Sequence, residues 1–557
     1  MHRRRSGGGK VVAETTSAVT LTGASYPAVH YIPLSDVDQA LVELTGSHTY
    51  CSYKGEASYY SIVTPEKKIA DAVWFYEEPF EAVGAIAGRV AFYPSTLRSP
   101  PRPSPTDGPA RGWSGFPFDT PLHPCAQPGT HLIRTRLCER RTEMTELTLE
   151  EVEAYVLGVC FKTGPPERIG VETEWLVQDH HNPLLPISVD RLNAALTPIE
   201  ATGALPGGSR LTREPGGQLQ LSSPPALSLG ACVEMMTADL AVLRTTVEQA
   251  DLALVGRGLD PYREPPRVLD HPRYRAMESF FDREGPWGRD MMRRTASVQI
   301  NLACGEDSRG ISGYRSRWEL AHRIGPVLVA AFANSPIQDG WPTGWLSSRQ
   351  DVWSRMDAGR TRPPLYHSDP RVAWTRYALD AQVMCIPGAL NGDWSAPSGL
   401  TFRAWLRGVP ELRPPTLADL DDHLSALFPP VRPHGWLELR MTDAQNGDDW
   451  VVPTVLAATL LNDRVAADAA YAATEPLCRD SQRPVPSHDV WLRAARTGLD
   501  DQDLAKAARA CFAAADSALA VPGAPAVLRH ALTDFAERYT ERGRSPAHDH
   551  LDALRRT

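Results

Sequence analysis

Lysine is scarce in this 557-residue sequence: six of 58 basic side chains, Lys10, Lys54, Lys67, Lys68, Lys162 and Lys506, with arginine alone from 163 to 505. Four of the six precede residue 69, an asymmetry that predicts two segments of separate history. The nine cysteines stand singly, with no CxxC pair or Cys/His ligand spacing. That argues against a zinc site or a disulfide framework and points to a reducing, cytoplasmic setting. There is no basic excess: the formal net charge is −9 and the pI about 6.0. A nucleic-acid partner is therefore not expected. The longest apolar run, roughly 324 to 333, falls far short of the ~20 residues a membrane span needs. The start, MHRRRSGGGKVVAETTSA, lacks the apolar stretch of a secretory leader. Neither GxxxxGK[ST] nor a GxGxxG following a strand occurs, so a P-loop and a dinucleotide fold are both unsupported.

What is present begins with length, which favours two or more domains. Residues 20 to 95 carry short aromatic and β-branched runs separated by turn chemistry, with a hairpin expected at Lys54-Gly55-Glu56. Nine prolines among residues 100 to 128 mark an extended linker. Thr148 with Glu151 predicts a capping box opening a helix, and Met144 is the expected join to a self-contained second unit. The expected organisation is a small β-rich domain over 1–96, a Pro-rich linker over 97–143 and a large domain over 144–557. Within the latter, helices are predicted near 231–255, 317–333 (capped by Ser316 with Glu319), 452–473, 503–519 and 526–541.

The chemistry is best read from alternation, since successive strand side chains point to opposite faces. In RIGVETEWLV, Ile169, Val171, Thr173 and Trp175 oppose Glu172 and Glu174; in GGQLQLSS, Leu219 and Leu221 oppose Gln218 and Gln220. In TASVQINLA, Val298, Ile300 and Leu302 oppose Gln299 and Asn301; in GWLELRMTD, Leu437, Leu439 and Met441 oppose Glu438 and Arg440. One such strand with a solvated polar face is commonplace. Four of them, bearing Glu, Gln, Asn and Arg and short of Lys, suit hard divalent cations that bridge carboxylates to nucleotide phosphates. Two carboxylates at i and i+2, about 6.5–7 Å apart, are each able to reach a separate Mg²⁺.

The runs IGVETEW, EPGGQLQLS, RDMMRRTASVQINL, LVAAFANSP, RQDVWSRMDAGRTRP and WLELRMTDAQ resemble, in order and approximate spacing, the glutamate–cysteine ligases. The likeness covers about residues 144 to 548 and is nearest to the actinobacterial ligases of ergothioneine biosynthesis, with the plant enzymes more distant. It implies an α+β, glutamine-synthetase-like carboxylate–amine ligase fold, whose curved antiparallel sheet, flanked by helices, holds two or three Mg²⁺, ATP as co-substrate, and L-glutamate. It also implies the reaction: phosphorylation of the glutamate γ-carboxylate, then attack by the amine of L-cysteine to give γ-glutamylcysteine. By the same resemblance Glu172, Glu174, Gln220, Gln299 and Glu438 are metal ligands, Arg440 and Arg294 are catalytic, and Arg349, Trp353 and Arg360 bind substrate. Arg293 is an alternative to Arg294. The family usually carries Glu where this chain has Gln220, which implies a weaker metal site, partly compensated by Glu214.

The first segment resembles a different family of small, tent-like β domains without assigned activity, through YCSYKGEASY, WFYEEP and IAGRVAFY. Two other readings stay open: a sister ligase with a different amine acceptor, and a scaffold that binds glutamate or nucleotide without turnover.

Overall fold

The computed structural model describes residues 2–5, 11–21, 29–51, 55–64, 68–79, 81–92, 147–164, 168–202, 205–388, 392–481, 483–521, 523 and 525–556. The chain divides into two compact units, Met1–Trp113 and Ser114–Thr557. The expected linker, 97–143, lies outside the described residues.

In the first unit, strands β1 (His2–Arg5) and β2 (Val11–Thr15) pair as a ribbon. A six-stranded antiparallel sheet runs in the order β3 (Val19–Leu21), β4 (Val29–Pro33), β8 (Arg89–Phe92), β7 (Lys68–Tyr76), β6 (Gly55–Val63), β5 (Val42–Cys51). The expected hairpin is the β5–β6 pair, in which Cys51 faces Gly55. Gly55 belongs to the strand, and Lys54 lies outside the described residues. Alternating side chains place Ile32, Val73 and Val90 in one apolar cluster and Tyr31, Tyr59, Tyr76 and Ala91 in another.

The second unit is built on an antiparallel sheet with the path β10 (Arg210–Arg213), β11 (Leu219–Ser222), β9 (Ile169–Asp179), β13 (Ser297–Leu302), β17 (Leu437–Asp443), β16 (Val431–Pro433). A further strand, β12 (Leu252–Val255), pairs with the far end of β9. Along Ile169–Trp175 of β9, burial follows the predicted alternation: only Glu172 and Glu174 keep partial exposure. The opposite face is apolar, with Val171, Leu219, Leu221, Ile300, Leu437 and Leu439 fully buried. Against this sheet pack α1 (Leu229–Glu248), α2 (Tyr314–Ala331) and α3 (Val451–Asn462). Helix α3 is buried on nearly all sides, which explains its continuous apolar sequence.

Three predicted helices need correction. The one expected near 231–255 ends at Glu248, and its last four residues form β12 instead. Helix α2 starts at Tyr314 after Gly313, and Ser316 lies inside it rather than capping it. The single helix expected over 452–473 is two, because the Asp463 carboxylate accepts the Ala466 N–H and caps a new helix, Arg464–Thr474. The Thr148–Glu151 capping box forms as expected, with Thr148 N donating to Glu151 at 2.8 Å and Glu151 N to Thr148 at 3.2 Å.

Because Leu439 is fully buried on the apolar side of the strand that carries Glu438 and Arg440, Leu439→Ala leaves a cavity directly beneath the polar face. A loss of about 3 kcal/mol is expected, read as a lower denaturant midpoint with an unchanged slope.

Candidate active site

Register places the polar residues of four strands side by side. Glu172 stands opposite Ser222 on β11 and Gln299 on β13, Glu174 opposite Gln220, and Asn301 opposite Glu438. A bulge after Val298 shifts β13 against β17, which leaves Gln299 facing Arg440.

The carboxylates are held by specific donors. Gln220 Nε2 donates to Glu172 Oε2 at 2.6 Å and Asn301 Nδ2 to Glu172 Oε1 at 3.0 Å. Gln299 Nε2 donates to Glu174 Oε1 at 2.8 Å and Ser297 Oγ to Glu174 Oε2 at 2.9 Å. Glu438 takes the fork of Arg432, Nε to Oε2 at 2.6 Å and Nη2 to Oε1 at 3.0 Å. Arg440 Nη1 bridges Glu438 Oε1 at 2.6 Å and Gln299 Oε1 at 2.5 Å. Burial alone would raise the Glu438 carboxyl, but Arg432 and Arg440 overcome it and hold the group at about 2.

Among the described residues Glu172 has no such counter-ion of its own. Burial, then the charge on Glu438, pushes it to about 7. Glu214, on the turn that leads into β11, goes to about 8 through burial and then the charges of Glu174 and Glu172. Gly217 makes that turn with φ +88, in the left-handed region. This face therefore holds one firmly ionised carboxylate, Glu438, and two, Glu172 and Glu214, whose proton affinity is raised first by burial and then by neighbouring negative charge.

Arg349 lies on α4 (Ser348–Ser354), beside the far end of β17. It is 3% exposed, and Nη2 donates to Arg440 O at 2.9 Å while Nε and Nη1 find no acceptor among the described residues. Burial lowers its pKa, opposed by the nearby charges of Asp443 and Glu174. Trp353, one turn on, presents an Nε1 with no acceptor among the described residues, and its ring centroid is 5.7 Å from the Arg349 guanidinium.

Several sequence expectations change here. Arg360 is fully buried, its guanidinium donates to the carbonyls of Ala426 and Gln382, and Asp357 stands 3.5 Å away. It braces the backbone at Ala426 and Gln382. Arg294 is 3% exposed and turns to Asp339 at 2.8 Å, the Asp260 carbonyl at 3.2 Å and Asp290 at 3.4 Å. It makes no hydrogen bond or ion pair with the carboxylate cluster, and neighbouring Arg293 pairs with Glu278. Gln220 and Gln299 turn amide nitrogens to the carboxylates here, donating to Glu172 and Glu174. Arg432 went unnoticed in the sequence, because PPVRPHG reads as a loop and only pairing of β16 with β17 brings it to Glu438.

Among the described residues no three His, Cys, Asp or Glu side chains converge on one point. The chemistry nevertheless fits a divalent cation: oxygen donors crowd one face, and their mutual repulsion is relieved by added positive charge.

The unit is thus an α+β fold, an antiparallel sheet with an acidic, arginine-edged face and helices behind it. Residues 168–556 match the glutamate–cysteine ligase family 2, and the chain belongs to that family. It is 40% identical over 413 residues to the glutamate–cysteine ligase EgtA of Mycolicibacterium smegmatis, covering 73% of this chain and 91% of that one. With EgtA of Mycobacterium tuberculosis it shares 40% over 407 residues, 72% of this chain and 89% of that one. The chloroplastic glutamate–cysteine ligase of Brassica juncea is 30% identical over 325 residues, 55% of this chain and 61% of that one. Residues 3–99 match a domain of unknown function, DUF427. Among the described residues no helix is long and apolar enough to cross a membrane.

The raised carboxyls fix a pH dependence. A group with an ordinary value of 4.5 that rises to about 7 or 8 in the fold contributes stability below pH 4.5 and loses it as pH climbs through those values. Metal-free protein is expected to melt at progressively lower temperature from about pH 5 to 8. Mg²⁺ competes with those protons and should raise the melting temperature more at pH 8 than at pH 6. Equal Mg²⁺ gains at the two pH values in a fluorimetric melt would refute this.

Proposed function

We propose that this protein is an ATP-dependent glutamate–cysteine ligase that forms γ-glutamylcysteine through γ-glutamyl phosphate and feeds ergothioneine biosynthesis. The observation that carries the reading is the crowding of Glu172, Glu174, Glu214 and Glu438 on one sheet face, edged by Arg432, Arg440 and the open guanidinium of Arg349. Family membership and relatives bearing that activity in their names support it.

Activating a carboxylate with ATP brings two anions together, so the protein's work is charge neutralisation and positioning. Mg²⁺, two or three ions held by Glu172, Glu174, Glu214 and Glu438, with Gln220 and Gln299 turning their amide oxygens inward, would screen the phosphates and polarise the transferred phosphoryl group. Arg440 sits where its guanidinium can take charge developing on the phosphoryl oxygens, a task its fixed fork of donors suits. Arg349 and Trp353 line the end that receives a substrate oxyanion. The γ-carboxylate oxygen attacks the γ-phosphorus and ADP departs. The neutral amine of cysteine then attacks the acyl carbon, phosphate leaves, and the surplus amine proton is released. Arg360 and Arg294 take no part. The ligase unit, proposed to be autonomous from residue 144, does not need the first domain for turnover.

Phosphate release by the full chain with Mg-ATP and glutamate should depend on cysteine, and mass spectrometry should find γ-glutamylcysteine. A stronger response to another amine would favour the sister-ligase reading instead. At position 220, Gln220→Glu places a carboxylate 2.6 Å from Glu172 Oε2. It should lower the Mg²⁺ concentration for half-maximal rate by about tenfold; an unchanged Mg²⁺ requirement would contradict the assignment of that position.

A further inference from the structure

We infer that Asp443, with Ser335 and Ser347, is a positioning device that keeps the buried guanidinium of Arg349 open for a substrate oxyanion. The inference rests on the ligase reading above for what that oxyanion is.

A buried carboxylate beside a buried guanidinium ordinarily closes to a two-pronged pair at about 2.7–2.9 Å. Here both groups are buried, 1% and 3% exposed, yet Arg349 Nη1 stays 4.0 Å from Asp443 Oδ1. The carboxylate is already occupied. Its Oδ2 accepts the Asn334 N–H at 2.9 Å and Ser335 Oγ at 2.7 Å, and its Oδ1 accepts Ser347 Oγ at 2.9 Å. Three donors thus compete with the arginine, and the backbone blocks escape on the other side, where a Cβ on Gly258 would lie 2.4 Å from Asp443 Cγ.

The same hydroxyls locate the arginine. Ser335 Oγ accepts the Arg349 N–H at 3.2 Å, and Ser347 caps α4 by accepting from Gln350 N. Arg349 is left with its charge balanced at a distance and two donor atoms bare, a costly state inside a protein. A ligand carboxylate or phosphate would relieve it. Asp443 terminates the strand that carries Glu438 and Arg440, so the open guanidinium is registered to the acidic face through β17 itself.

The test is a steady-state comparison of the full chain with Ser347→Ala, Ser335→Ala/Ser347→Ala and Ser347→Thr. Losing hydroxyls frees lone pairs on Asp443, which then closes on Arg349. The double variant should raise KM for one substrate about tenfold and the single about threefold, with kcat changed less than KM, while Ser347→Thr, which keeps the hydroxyl, matches wild type. A rise in KM for glutamate assigns a carboxylate to Arg349; a rise in KM for ATP assigns a phosphate. Unchanged KM values in a double variant that folds, or a fall in kcat alone, would overturn the inference. If the double variant does not fold, the single variant decides on the same criterion. A wild-type protein without glutamate-dependent ADP formation defeats the ligase reading instead. Calorimetric titration with glutamate and with a non-hydrolysable ATP analogue then tests the device, and dissociation constants equal in wild type and variant overturn it.

Discussion

Like charge confined to one face of a sheet is the constraint on which the rest of this protein depends. Glu172, Glu174, Glu214 and Glu438 are brought together by strand register and by the turn before β11, and the fold tolerates them only because each is treated differently. Glu438 is pinned in its ionised form by two arginines. Glu172 and Glu214 have their proton affinity raised by burial and neighbouring charge, and Glu174 accepts from Gln299 and Ser297. A face so arranged is primed to exchange protons for cations, and that exchange is what phosphoryl transfer between two anions requires.

The opposite face supplies the stability that this arrangement costs. Trp175, Val171, Ile300 and Leu439 point away from the charges into one continuous core shared with α1, α2 and α3. Strand β17 couples the two sides. Its alternating residues put Glu438 and Arg440 on the acidic face, Leu437, Leu439 and Met441 in the core, and Asp443 at the hub that anchors α4. Chemistry and packing are therefore opposite sides of the same few strands, and small changes beneath the sheet are felt above it.

Much of this was legible in the sequence, because a strand's two faces follow directly from a period of two. The pairing of Glu172 with Glu174, of Gln299 with Asn301 and of Glu438 with Arg440 needed only alternation. Arginines were another matter. Arg294, Arg349 and Arg360 sit in equally suggestive motifs, yet one is tied to Asp339, one is left open and one is a strut to backbone carbonyls. A long side chain with five donors reaches whatever acceptors the fold brings near, and those acceptors lie far away in sequence. Arg432 was overlooked for the same reason, since its partner is defined by β16 pairing with β17. The merged helix prediction over 452–473 failed because local periodicity passes smoothly through Asp463, where the chain turns.

What the sequence determined by itself was a division into a β-rich module and a larger α+β unit, the membership of that unit in a ligase family, and which residues share the polar face. These depend on local geometry and on ordered motifs, both of which are one-dimensional. Only the tertiary structure decided which carboxylates have their proton affinity raised, which arginine keeps two donors open and which residues fence off Asp443. Electrostatic shifts and hydrogen-bond competition depend on burial and on distances between groups remote along the chain, and no spacing in the sequence encodes them.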